Sequence, residues 1–401
     1  MSPGKQKIIN DPVHGFISID HPLIFDIISH PYYQRLRRIY QMALAQLVYP
    51  GAVHTRLFHS LGAYHLMCLA VNEIKNKGTL ITKEEEVAVK SAILLHDIGH
   101  GPFSHALENV LIPGVNHEDL GLQIMREMNK QLSNRLELAI QIFTGEYNKP
   151  FLHQLISSQL DVDRLDYLTR DSFFTGVSEG VIGYARILRM LIVCNNNLMV
   201  EEKGIYSVEK FLVARRQMYW QVYLHKTVLA AEKMLVKIIE RAKEINAKSI
   251  SPYLNMFLHH SYNEADVYHS LFEFCQLDDY DVMSSVKDWA LHKDKILSVL
   301  CKNLLQRNLL KCKLQTERFD EEIVGFKKRK IAEHLNISFD EASYFVFTGE
   351  AVNTTYTLGD EHINILFKDG TVKDISAIDN PLIHQTLSVP VKKFYICELR
   401  N

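Results

Sequence analysis

Residues 92–105 read Ala92-Ile93-Leu94-Leu95-His96-Asp97-Ile98-Gly99-His100-Gly101-Pro102-Phe103-Ser104-His105. An apolar helix that runs into adjacent His96 and Asp97 sets an imidazole beside a carboxylate where a buried helix meets a cleft. Divalent cations take both groups as ligands. Just upstream, Thr82-Lys83-Glu84-Glu85 is a capping box predicted to open this helix, which runs to about Ile98 with Gly99 as its stop. Two other stretches have the same character. His59 lies on an amphipathic segment, Thr55-Arg56-Leu57-Phe58-His59-Ser60-Leu61-Gly62. Asp161-Val162-Asp163-Arg164-Leu165-Asp166-Tyr167 interrupts a predicted helix whose other face carries Leu152, Leu155, Ile156 and Leu160. Carboxylates so placed are costly to bury unless cations or a metal pair with them. His59, His96, Asp97 and Asp163 together offer a ligand set drawn from three helices.

The rest of the chain sets bounds on what such a site serves. Its 401 residues are 47% hydrophobic and 23% charged, which excludes a disordered or collagen-like polypeptide. Lys and Arg total 45 against 47 Asp and Glu, so a global basic field for holding nucleic acid or an anionic membrane is absent. There is no 18-residue apolar run and no apolar N-terminal leader, which argues against membrane spanning and secretion. Cys68, Cys194, Cys275, Cys301, Cys312 and Cys397 are scattered without a C-x-x-C pair, as expected of reduced thiols in a cytoplasmic protein. The unusual number is 19 histidines. Histidine titrates near neutrality and is the commonest metal ligand, so their clustering points to chemistry.

The expected fold is mainly α. Residues 5–20 read as a β-hairpin arm, with Asp11-Pro12 and His14-Gly15 as turn signals. Helical periodicity then dominates to about residue 245, Ser207 to Ala242 being the longest predicted helix. Residues 246–345 read as a helical appendage, and 346–401 as a small α+β region with strands at Tyr356 to Leu358, Ile363 to Phe367 and Phe394 to Cys397 and a turn at Lys368-Asp369-Gly370. This divides the chain into 1–245, 246–345 and 346–401. The basic run Lys327 to Lys330 reads as a solvated helix face.

Taken jointly, Arg-x-x-His-Ser-Leu-Gly at 56–62, His-Asp-x-Gly-His-Gly-Pro-Phe-Ser-His at 96–105 and Asp-x-Asp-Arg-x-Asp-Tyr at 161–167 are long, ordered and chemically coherent. With Ile-Asn-Asp-Pro-Val-His-Gly at 9–15, Gln-Arg-Leu-Arg at 34–37 and Tyr-Pro-Gly-Ala at 49–52, the sequence resembles the HD-domain phosphohydrolases over about Lys7 to Lys226. Within them it is most similar to the deoxynucleoside triphosphate triphosphohydrolases, in the branch of the sterile-alpha-motif and HD-domain protein. The resemblance implies a helical HD-domain core and a divalent metal (Mn, Fe, Ni, Zn or Mg) held by His59, His96, Asp97 and Asp163, with a further Mg accompanying the nucleotide. Such a cation lowers the pKa of a bound water from about 16 towards neutrality, for attack on the α-phosphorus of a nucleoside triphosphate. His117 matches the family's general acid, Glu108 its carboxylate partner, and His105 and Asp163 complete the catalytic set.

Arg56, His100 and His105 are expected to face the phosphates, with Arg164 standing where the relatives carry Lys. Arg215 and Tyr223 become phosphate and base contacts on one face of the longest helix, together with Tyr219, where the relatives carry His, and Lys226. Tyr167 and Asp171 approach the sugar, and Gln41 its 3′-hydroxyl. A regulatory nucleotide site in that branch corresponds to Lys7, Asn10, Gln34 and Arg37; the acidic residue that reads guanine there is Ser29 in this sequence, so either the activator is another nucleotide or the site is vestigial. The partners implied are a nucleotide substrate, a nucleotide activator and further copies of the chain, as a dimer or tetramer. Two other readings stay open: an HD phosphodiesterase or phosphatase acting on a different nucleotide, and a nucleotide-sensing regulatory protein.

Overall fold

The computed structural model describes residues 7–259, 268–353, 356, 362–378 and 391–400. The chain opens with an antiparallel hairpin, β1 (Lys7–Asp11) and β2 (Gly15–Ile19). Gly15 closes its turn with a φ of 79°, a conformation open to glycine at no steric cost. After α1 (Pro22–Ser29) and a run of short turns comes the helical core: α2 (Arg56–Asn76), α3 (Lys83–Leu95), α4 (His117–Gln131), α5 (Glu137–Phe143) and α6 (Val162–Thr175). Helix α2 packs between α3 and α6, and its buried side chains, Leu57, Leu61, Ala63, Leu66, Met67, Ala70 and Ile74 among them, point to every side. A helix apolar all round belongs at the centre of a bundle.

The local signals near the first motif act as expected, with one shift. Thr82 and Glu85 cap each other reciprocally at 3.2 and 2.8 Å. The helix they open stops at Leu95, before Ile98, and residues 96–99 form a turn with Ile98 N–H on the Leu95 carbonyl (3.0 Å). Asp161 opens α6 instead of interrupting a helix, its carboxylate accepting from Arg164 N–H at 2.7 Å.

The longest predicted helix is broken. Helix α7 (Ile205–Met218) passes into a π-turn at Tyr219–Tyr223, where Leu224 N–H reaches the Tyr219 carbonyl at 2.7 Å, and α8 (Lys226–Glu244) starts afresh. The five-residue bond and the fresh start at Lys226 take Lys226 off the face that carries Tyr223.

Ahead of α7, β3 (Leu191–Cys194) and β4 (Asn197–Glu201) form a hairpin, and beyond α8 come α9 (Asp279–Trp289), α10 (Lys295–Leu305), β5 (Lys311–Gln315) and α11 (Glu321–Leu335). The later strands join sheets begun earlier. β6 (Val346–Asn353) and β5 flank β9 (Val391–Glu398), while β7 (Asn364–Leu366) adds in parallel to β4 and pairs with β8 (Val372–Asp374) across the Gly370 turn. The fold is therefore the expected helical core with an N-terminal hairpin and a small α+β part. Of the expected strand at Tyr356 to Leu358, Thr357 and Leu358 lie outside the described residues. Among the described residues no helix is long and apolar enough to cross a membrane.

A buried ion network ties the hairpin to the core. The fully buried Arg170 guanidinium donates to Asp166 (2.9 and 3.1 Å) and to Asp11 (2.8 and 3.3 Å). Gly62 makes the space: a Cβ there would stand 2.1 Å from both Arg170 Nη2 and Asp166 Oδ1. Arg170→Met strands two buried carboxylates, and we expect it to lower unfolding free energy by roughly 3–5 kcal/mol in urea titration, where a change under about 1 kcal/mol would show that the network is dispensable.

Candidate active site: a metal centre and its cleft

His59 comes from α2, His96 and Asp97 from the turn that ends α3, and Asp163 from the first turn of α6. Asp163 Oδ1 lies 2.9 Å from His59 Nε2 and 3.4 Å from His96 Nε2, and the two Nε2 atoms are 3.3 Å apart. Asp97 adjoins this trio, its Oδ2 3.6 Å from His59 Nε2 and its Oδ1 3.6 Å from His96 Nε2. The opposite ring nitrogens are committed. His59 Nδ1 donates to Asp166 Oδ2 (2.8 Å) and His96 Nδ1 to the Ile93 carbonyl (2.7 Å). With Nδ1 serving as donor, Nε2 of each ring is turned to the shared centre, the arrangement by which histidines are oriented as metal ligands.

The electrostatics of the centre favour positive charge. Burial disfavours the His59 imidazolium, yet hydrogen bonds to Asp163 and Asp166 prevail and lift its pKa to about 10. Asp97 is buried too, but the Arg56 guanidinium and His96 hold its carboxyl well below the usual range. Two imidazole nitrogens and two ionised carboxylates on rigid elements fit a divalent cation of the borderline class.

From this centre a cleft of about 560 Å³ runs outward, and Gln41, Arg56, Asp97, His100, His105, His117, Asp163, Arg164, Tyr167, Asp171 and Tyr223 all line it. Glu108 joins two of its histidines, accepting from His117 Nδ1 at 2.6 Å and His105 Nδ1 at 3.1 Å. Although partly buried, its carboxyl is held well below the usual range by those bonds. The His100 ring lies 4.0 Å from that of His117. Burial, and then the Arg56 guanidinium, push His100 well below its ordinary pKa, so it is neutral. Gly99 makes this stacking accessible, since a Cβ there would lie 2.0 Å from the His117 carbonyl oxygen.

Some expected contacts are redistributed. Arg56 is already engaged, donating to Asp97 (2.5 Å) and to Ser104 Oγ (2.8 Å). Arg215 is buried beside Tyr167 and does not line the cleft; Lys226 lines a separate cavity of about 970 Å³ that also takes Lys327 and Lys330 from the basic run. Asp171 accepts from Tyr223 Oη and from His54 Nε2, both at 2.7 Å. Of the four regulatory candidates, Arg37 donates to Gln34 (2.6 Å), while Lys7 and Asn10 stand at exposed positions of the hairpin. No hydrogen bond among the described residues joins the two pairs.

Residues 56–171 match the model of the HD domain, and residues 182–341 that of the HD-associated region. An uncharacterized Bacillus subtilis protein, YwfO, is 32% identical over 390 residues, covering 93% of this chain and 87% of its own. The chain belongs to the HD-domain phosphohydrolase superfamily. A solved structure described as a phosphohydrolase from Bacteroides thetaiotaomicron is 48% identical and superposes with a TM-score of 0.94, covering 99% of this chain and 100% of that one. The deoxynucleoside triphosphate triphosphohydrolase SAMHD1 of Danio rerio is 30% identical over 288 residues, or 60% of this chain. The match spans 46% of that relative.

Sequence reasoning missed the residues that act from behind the ligands. The sequence marks His14 only as part of a turn and gives His54 no role, yet His14 Nε2 donates to Asp166 Oδ1 (2.6 Å) and His54 anchors Asp171. Only the buried carboxylates of 161–166 hinted that such partners were needed. Asp166→Asn removes the carboxylate that orients His59, and a loss of about 10–100-fold in metal affinity by titration into the chelator-stripped protein is expected with helicity retained. Unchanged affinity would show that His59 does not depend on Asp166.

Proposed function

We propose that the chain hydrolyses deoxynucleoside triphosphates to the deoxynucleoside and inorganic triphosphate. The observation that carries this reading is the cleft itself: one continuous wall takes in two metal ligands, the Glu108-linked histidines and the Gln41, Tyr167 and Asp171 set. The likeness to deoxynucleoside triphosphate triphosphohydrolases supports it.

His59, His96, Asp97 and Asp163 would hold a divalent cation, which would supply charge stabilisation at the α-phosphate and acidify water. The chain's own residues do the rest. Water, its proton released to solvent, bonds through oxygen to the α-phosphorus, the bond from phosphorus to the 5′-oxygen breaks, and that oxygen takes a proton. His117 gives it: Glu108 accepts from Nδ1, which leaves Nε2 as the acid. Arg164 and His105 face the cleft as donors for the triphosphate oxygens, and Arg56 offsets the charge of Asp97. At the sugar, the Gln41 carboxamide oxygen is buried without a hydrogen-bond partner and suits the 3′-hydroxyl as donor. Tyr167 lines the cleft, and its ring would exclude a 2′-hydroxyl and so favour deoxyribose. This reading assigns the activity to the cytoplasm.

Incubation with each deoxynucleoside and ribonucleoside triphosphate plus manganese or magnesium, singly and in mixtures, tests this. Deoxynucleoside and inorganic triphosphate are the expected products, with His117→Ala lowering kcat about 100-fold or more. Orthophosphate or pyrophosphate as the product would refute triphosphohydrolysis, and turnover only in mixtures would reveal an activating nucleotide.

A further inference from the structure

Both lips of the cleft hang on one side chain outside the HD domain. Asp279, the first residue of α9, is 1% exposed, and its two carboxylate oxygens are divided between two distant backbone groups. Oδ2 accepts from Tyr40 N–H and Oδ1 from Phe103 N–H, each at 2.7 Å. Burial pushes this carboxyl up to about 7 against the pull of those donors, so its desolvation has to be offset by what it holds.

What it holds borders the chemistry on each side. Tyr40 precedes Gln41, whose N–H bonds to the His54 carbonyl (3.0 Å), so the Tyr40 anchor fixes where the Gln41 side chain enters the cleft. Phe103 precedes Ser104, the hydroxyl that receives Arg56, and Arg56 in turn holds Asp97. Phe103 and Ser104 have φ of 54° and 50°, left-handed conformations that non-glycine residues adopt only under strain. Such a loop keeps its shape only when its surroundings impose it. Segment 277–279 is itself locked down: Arg35 donates to the carbonyls of Leu277 (3.2 Å) and Ile98 (2.8 Å), and Arg38 pairs with Asp278.

We infer that Asp279 is a positioning residue, a carboxylate clamp that sets the spacing between the Gln41 lip and the Ser104–Arg56 lip of the cleft. Only a carboxylate serves. Two N–H donors converge on it, and a carboxamide presents one acceptor oxygen and one further donor, so Asp279→Asn keeps one lip and repels the other. The clamp touches neither metal ligand nor substrate; the inference rests on the proposed hydrolysis for its activity readout alone.

Two measurements test it. In residue-resolved hydrogen exchange, the Tyr40 and Phe103 amides of the native protein are expected to exchange slowly, and Asp279→Asn to speed at least one about tenfold while α2 amides and metal content stay unchanged. In turnover, Asp279→Asn is expected to lower kcat/KM about 10–100-fold per metal-loaded molecule. Adding Gln41→Ala to it should cost much less than Gln41→Ala alone costs, because the two act on one contact. Asp279→Glu, which keeps both acceptor oxygens, should recover part of the protection, and the native exchange rates stand as a test even where a variant fails to fold. Fast exchange of both amides in the native protein, unchanged exchange in Asp279→Asn, or losses that simply multiply would each overturn the clamp. A native protein that turns over no nucleoside triphosphate refutes the proposed function instead, and the exchange data then decide the clamp on their own.

Discussion

The Asp166 carboxylate is the constraint on which the rest of the centre depends. It is fully buried, and burial alone would neutralise it; Arg170, His14 and His59 instead hold it ionised, well below its usual pKa. An ionised carboxylate only accepts, so the ring atoms facing it must donate. That fixes His59 Nδ1 as N–H and leaves Nε2 turned to the centre. Through Arg170 the same carboxylate reaches Asp11, and through it the N-terminal hairpin. The hairpin arm, the central helix α2 and the ligand-bearing helix α6 are thereby held by one network of charge, and α2 has to carry glycine at position 62 for it to fit.

The cleft is the product of several parts of the chain. The HD core supplies the ligands and the Glu108-linked histidines. The π-turn after α7 brings Tyr219 and Tyr223 to the wall, α8 adds Val228, Leu229 and Glu232, and β6 adds Glu350 to Val352. Because β6 lies in a sheet with β5 and β9, and β7 extends the sheet begun by β3 and β4, the C-terminal strands bear directly on the core. Segment 277–279 closes the arrangement from the side.

What was legible in the sequence follows from range. His59 and Asp163 sit on helices and His96 and Asp97 in the turn that follows one, each within a short motif, and the Thr82 capping box lies within one helical turn, so local rules singled these residues out. His14 meets Asp166 across 152 residues, His54 meets Asp171 across 117 and Asp279 meets Phe103 across 176. No local pattern encodes such pairings. The helix break at Tyr219 was hidden for another reason: Tyr, Trp, Gln and Val all tolerate helix, no Gly or Pro marks the site, and the apolar stripe runs on through it. Helix periodicity then misplaced Lys226 by assuming an unbroken register. The pairing of β7 with β4 was equally out of reach, since a strand's alternation fixes its faces and leaves its neighbour unspecified.

A second trio, His100, His105 and His117, also brings three imidazoles within ligand distance of one another, so the location of the cation separates this account from its nearest rival. Anomalous diffraction from crystals grown with manganese, recorded above and below its absorption edge, measures that location. The account predicts one peak per chain about 2.0–2.3 Å from His59 Nε2, His96 Nε2 and a carboxylate oxygen each of Asp97 and Asp163. A peak among His100, His105 and His117 with none at the first set would contradict it.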